Sequence, residues 1–124
     1  MPRLARLVLG LQAAYYVATG IWPVIDMASF EAVTGPKVDD WLVKMVGLLV
    51  TTIGVTLAMA WRARRWTPEI RALAILSALS FIAIDVTYAL SGRISPIYLA
   101  DAVAEAVIAG VLGLSALAAR SDAA

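Results

Sequence analysis

Residues 97–119 read IYLADAVAEAVIAGVLGLSALAA, a stretch apolar and long enough to cross a bilayer, with two acids inside it. A membrane span needs roughly 20 apolar residues at about 1.5 Å of rise each. Asp101 and Glu105 are four positions apart, so a helix places both carboxylates on one face. An acid at the centre of a span costs about 2.5–3.5 kcal/mol on insertion scales. Two acids on one face therefore predict a helix that turns that face away from lipid, toward a polar interior. That interior requires partner helices.

Three further stretches supply them. The spans are predicted at about 4–25, 41–61, 70–90 and 97–119. Pro23 and Asp26 close the first. Asp39 or Asp40 is available to cap the second. Thr67-Pro68-Glu69 is a helix-start signal for the third, and Ser95-Pro96 opens the fourth. The breaks fall at Gly35-Pro36, Thr67-Pro68 and Ser91-Gly92. Between the first two spans, Ser29 is placed to cap a short interfacial helix over Phe30 to Val33, ended by Thr34-Gly35-Pro36. The fold class expected is all-α: a polytopic membrane four-helix bundle with a short interfacial segment between its first two spans, one transmembrane domain over 1–124.

Composition agrees. Of the 124 residues 62% are hydrophobic and 15% charged, and mean hydropathy is +0.87. Soluble domains lie nearer 45–50% apolar and about 25% charged. There is no cysteine and no histidine. This removes disulfides, thiol chemistry, iron–sulfur ligation and the usual zinc or haem ligands. No metal site and no cofactor are expected. No basic cluster suggests nucleic acid. Arg3 to Gly20 is read as a retained first span, since no small-x-small cleavage motif precedes a polar segment.

Charge sets orientation. Arg3, Arg6, Arg62, Arg64, Arg65, Arg71 and Arg120 lie toward one side; Lys37, Lys44 and Arg93 lie toward the other. The positive-inside rule puts the seven-arginine side, with both termini, in the cytoplasm, as in a bacterial inner membrane. Seven acids crowd the opposite half, against Glu69 and Asp122 inside. Trp22, Trp41, Trp61 and Trp66 fall near span ends and read as interfacial anchors.

Each span also carries a polar line at helical spacing. The lines are Gln12, Tyr15, Tyr16 and Thr19; Lys44 and Thr51 with Gly47 and Gly54; Ser77, Asp85 and Tyr88; and Tyr98, Asp101 and Glu105. Turned inward, they enclose a polar vestibule. Asp101 is roughly 7 Å and Glu105 roughly 13 Å past Pro96, and Asp85 roughly 8 Å below Leu90, at about 1.5 Å per residue. Asp85, Asp101 and Lys44 then share a level, with Glu105 deeper, near Gln12. Candidate site residues are Asp85, Asp101, Glu105, Lys44, Tyr88, Tyr98, Arg93, Gln12 and Tyr16. Lys44 and Arg93 can neutralise two of the three acids and fix helix register. The third acid is then left without a cation, the usual requirement for holding a proton or binding a cation. Small-residue lines at Ala102, Ala106 and Gly110, and at Gly47, Thr51 and Gly54, are expected to pack within the bundle, with homodimerisation or a larger membrane complex as the other use.

Thr19-Gly-Ile-Trp-Pro23, followed by Ser29-Phe-Glu-Ala-Val-Thr-Gly-Pro-Lys37, together with the four-span plan, resembles small bacterial four-helix membrane proteins of the DoxX-like type. That resemblance implies association with membrane redox or quinone-linked complexes. It carries over no functional residue, and this chain brings no Cys or His ligand to such chemistry.

Three functions remain open. One is a protein binding or moving a proton, cation or cationic small molecule at the acidic cluster. One is a non-catalytic subunit of a membrane complex. The third is an intramembrane enzyme whose buried acid protonates a lipid or isoprenoid double bond. It requires an apolar pocket that reaches the carboxylates, its catalytic residues are unknown, and the sequence supports it least.

Overall fold

The computed structural model describes residues 1–123, and the side chains of residues 1–118. Ala119, Arg120 and Asp122, used above in the span and charge assignments, have side chains outside the described residues. Five helices follow one another: α1 (Arg3–Ile25), α2 (Met27–Thr34), α3 (Asp40–Ala63), α4 (Pro68–Leu90) and α5 (Ile97–Ala123). The chain is all-α, and α1, α3, α4 and α5 are each long and apolar enough to cross a membrane. It is a small integral membrane protein.

The helix ends follow local chemistry. Thr67 holds an extended backbone and its hydroxyl accepts from the Ile70 amide at 3.3 Å, so Pro68 starts α4 where its missing N–H costs nothing. Arg64, at φ 55°, ends α3 in the left-handed region. The short interfacial helix is longer than Phe30–Val33, and Asp26, not Ser29, caps it. Asp26 leaves helical geometry at φ −151° and its Oδ1 accepts from the Ser29 amide at 3.2 Å. The Ser29 hydroxyl instead accepts from Trp22 Nε1 at 2.7 Å, which ties α2 to the end of α1. Trp22 and Phe30 meet edge to face, 5.4 Å between centroids.

Packing divides the bundle lengthwise. α1 packs chiefly on α3, and α4 on α5, with α1 and α5 joining the pairs. The α1–α3 seam is made close by glycines. A Cβ on Gly20 would lie 2.6 Å from Thr51 Oγ1 and 2.7 Å from the Gly47 carbonyl; one on Gly54 would lie 2.9 Å from the Val17 amide. Around the end that carries the α3–α4 turn, Ala5, Leu9, Leu57, Ala74, Ala78 and Leu112 form a tight apolar core. At the other end, capped by α2, the helices part around a cavity. The outside is apolar: Met59 is 66% exposed and Leu76 61%. The interior instead buries Gln12, Asp85 and Glu105. Apolar outside and polar inside is the pattern of a bundle built for lipid.

The two small-residue lines separate. Gly47 and Gly54 are buried in the α1–α3 seam, whereas Ala106 and Gly110 are exposed, and a Cβ on Gly110 would meet nothing within 4 Å. Ala102, the first member of the α5 line, is buried within the bundle, so only Ala106 and Gly110 turn outward.

Candidate functional site

The cavity lies between the α2-side halves of the four long helices and encloses about 600 Å³. Most of its wall is apolar or aromatic, including Trp22, Phe30, Val46, Val50 and Phe81. The polar groups that line it are few: Asp85 from α4, Asp101 and Glu105 from α5, Tyr15, Tyr16 and Thr19 from α1, and Thr34, Lys37 and Tyr98 at the mouth. This composition matches small-molecule sites in general, apolar walls with a few placed polar groups in roughly 300–1,000 Å³.

Two consecutive tyrosines reach two acids one helical turn apart. The Tyr16 hydroxyl donates to Glu105, 2.9 Å from Oε1 and 3.1 Å from Oε2. The Tyr15 hydroxyl donates to Asp101 Oδ1. Tyr16 is further held by the edge of Phe81, with centroids 5.4 Å apart. Both Tyr16 and Glu105 are fully buried. Beneath them, Gln12 Nε2 donates to the Ala74 carbonyl at 2.9 Å and bridges α1 to α4, while Gln12 Oε1 has no partner among the described residues. This polar layer separates the cavity from the packed core.

Asp85 differs from its neighbours. It is 3% exposed, it lines the cavity, and its Oδ2 has no hydrogen-bond partner among the described residues. Its carboxyl adjoins that of Asp101. A buried, unpartnered carboxylate oxygen is costly and needs an explanation. Among the described residues, no three of His, Cys, Asp or Glu converge closely enough to hold one metal ion.

The structure brings together Asp85, Asp101, Glu105, Tyr16 and Tyr98 on one cavity, with Gln12 just below it. It does not bring in Lys44, Arg93 or Tyr88. Lys44 is exposed; Val43, its neighbour, turns to the cavity instead, because the α3 face fixed by Gly47, Val50 and Gly54 continues through position 43. Arg93 is also exposed, and its guanidinium lies 5.9 Å from the centroid of Tyr88 on the outside. The internal counter-ions expected from sequence are thus absent from the acids. The lining cation among the described residues is Lys37, from the link after α2. Its ammonium donates to the Gly35 carbonyl at 2.8 Å and to Thr34, and it faces the rings of Tyr98 at 5.4 Å and Phe30 at 5.6 Å. Tyr15, Thr19 and Lys37 line the site and were not among the candidates chosen from sequence. Tyr15 had a signal in the polar line of the first span; Lys37, in a loop, had none.

Comparison with protein-family models, curated proteins and solved structures yields no match to the chain.

Proposed function

We propose that this membrane protein binds a cationic small molecule with an apolar body, holding its charge at Asp85, Asp101 and Glu105. The observation that carries the reading is Asp85: a buried carboxyl that lines a cavity of about 600 Å³ and has one oxygen without a hydrogen-bond partner among the described residues. Two adjoining carboxyls repel when both are charged, and a cation or a proton held between them relieves that repulsion. The volume and the apolar walls favour an organic cation over a bare ion. The rings of Tyr15, Tyr16 and Phe81 add faces that attract positive charge. A proton is the natural exchanging partner for such a site, since the same acids hold one when the ligand leaves. The arginine distribution supports a cavity that opens away from the cytoplasm of an inner membrane.

Flux of tetraphenylphosphonium into liposomes bearing the protein, with and without a pH gradient, tests this reading. Gradient-dependent uptake that is lost in Asp101→Asn and Glu105→Gln is the expected result. Uptake unchanged in both variants contradicts it.

A second reading shares the cavity. Its apolar walls reach the carboxylates, which is what an isoprenoid substrate for acid catalysis requires. A protonated carboxyl would deliver its proton to a C=C bond, and a neighbouring carboxylate would take a proton from the adjacent carbon, moving the double bond with no net change in atoms or electrons. Deuterium incorporation from D2O into a prenyl substrate would favour this over simple binding.

A further inference from the structure

A second cavity, of about 660 Å³, lies at the opposite end of the bundle, on the outside of the α1–α3 pair. Its long wall is apolar and runs from Leu7 through Leu11 and Ala14 to Val17. Its head carries Arg3 and Arg6, facing Trp61, and no acid lines it among the described residues. The Arg6 guanidinium carbon sits 4.6 Å from the centroid of Trp61. Stacking fixes the guanidinium in place but uses none of its N–H groups. Arg6 Nε is buried and has no hydrogen-bond partner among the described residues. Gly10 lets the indole lie against the α1 backbone, since a Cβ there would fall 2.7 Å from Trp61 Nε1.

We propose that this groove binds one anionic phospholipid of the surrounding bilayer. The phosphate is held by Arg3 and Arg6, and one acyl chain lies along the α1 wall. Three features fit a lipid better than a protein helix or a free anion. The charge is confined to one end, and the remainder of the groove is apolar. The groove lies on the outer surface of helices that are long and apolar enough to be surrounded by acyl chains. From Arg6 to Val17 the wall is about 16 Å long at 1.5 Å per residue, close to half of the roughly 30 Å hydrocarbon thickness, which is one leaflet. Arginine, with its planar fork of donors, is suited to bind phosphate through more than one oxygen, and basic pockets between spans are a recurring form of anionic headgroup site. The groove is separate from the acid-lined cavity, so this inference stands or falls independently of the ligand proposed there.

Native mass spectrometry of the full chain, exchanged into equal phosphatidylglycerol and phosphatidylcholine, tests it. Wild-type protein should retain phosphatidylglycerol with at least roughly tenfold preference, within the roughly thirtyfold that two arginines at about 1 kcal/mol each near a membrane surface can supply. Arg6→Gln should reduce that preference to about twofold, and Arg6→Lys should recover part of it. Arg62→Gln, an exposed arginine outside the groove, should leave it intact. Ala14→Phe fills the groove at an exposed position and keeps both arginines; it should also abolish the preference, which diffuse surface charge would not. Equal retention of the two lipids by wild type overturns the proposal, as does a preference that survives both Arg6→Gln and Ala14→Phe. Inorganic phosphate alone, added to delipidated protein, should not raise thermal stability; stabilisation equal to that by phosphatidylglycerol would make this a simple anion site and overturn the lipid assignment.

Discussion

The Tyr16 hydroxyl and the Glu105 carboxylate form a fully buried pair, 2.9 and 3.1 Å from donor to the two acceptor oxygens, that ties α1 to α5 at the floor of the cavity. One donor serves both oxygens of the carboxylate. The pair is therefore structural as well as part of the site, and its two members differ in what their removal leaves behind.

Tyr16→Phe leaves Glu105 without its donor, and an unsatisfied buried acceptor costs about 1–3 kcal/mol. Thermal unfolding in detergent, followed by circular dichroism, should show a clear loss of stability. Glu105→Gln should lose less, because an amide still accepts from the phenol. Equal stability of Tyr16→Phe and wild type would mean that the contact contributes nothing.

The α1–α3 seam has little tolerance. Gly20→Ala would place a Cβ 2.7 Å from the Gly47 carbonyl, a backbone atom that cannot swing aside, and overpacking of this kind costs about 1–3 kcal/mol. Gly110→Ala meets nothing within 4 Å, and should stabilise by about 0.5–1 kcal/mol through helix propensity alone. The same unfolding measurement should give opposite signs for the two variants.

Asp26 makes the docking of α2 sensitive to acid. Its carboxyl is held below the usual carboxylate range by the hydrogen bond from the Ser29 amide and then by the Ser29 side chain. A depressed value means that the cap stabilises at pH values above the range of a free Asp, and that this contribution is lost as pH falls through the range. Trp22 reports on it, since its indole donates to Ser29. Trp22 emission should shift on acidification in wild type. It should be shifted at every pH in Asp26→Ala, and should hold steady in Asp26→Asn, which caps without titrating.

Lys37 places a positive charge at the mouth of a site proposed to take cations. Lys37→Gln removes that repulsion, so affinity for a cationic probe should rise by roughly threefold or more, equivalent to about 0.7 kcal/mol. Titration of fluorescence quenching at two salt concentrations measures it, and the gap between wild type and variant should narrow at high salt. Lower affinity in Lys37→Gln would indicate that the lysine binds the ligand.

The sequence carried the spans because hydropathy and length are summed over some 20 residues, and single positions matter little. The Thr67-Pro68 start was legible for a local reason, a cap and a missing N–H. Asp101 and Glu105 declared a common face through their spacing alone. What sequence did not carry was helix rotation. Lys44 stands at the expected level of α3, yet the face is fixed by the Gly47 and Gly54 approach to α1, and that turns Val43 inward. Tyr15 and Tyr16 are adjacent and so point about 100° apart, but both reach α5 because its acids are a turn apart. Lys37 sits in an irregular link where no period applies. The α2 boundary moved because Asp26 and Ser29 compete to cap it, and Trp22, seven residues upstream of Ser29, decides the competition.

The central claim is that the free carboxylate oxygen of Asp85 is there for a cation that enters the cavity. Isothermal titration of tetraphenylphosphonium into the protein in nanodiscs tests it most directly. Wild type should bind saturably with one site. Asp85→Asn should stay folded, since Oδ2 has no hydrogen-bond partner among the described residues to lose, and should bind at least about tenfold more weakly, a loss of about 1.4 kcal/mol. Unaltered affinity in a folded Asp85→Asn protein would contradict the account.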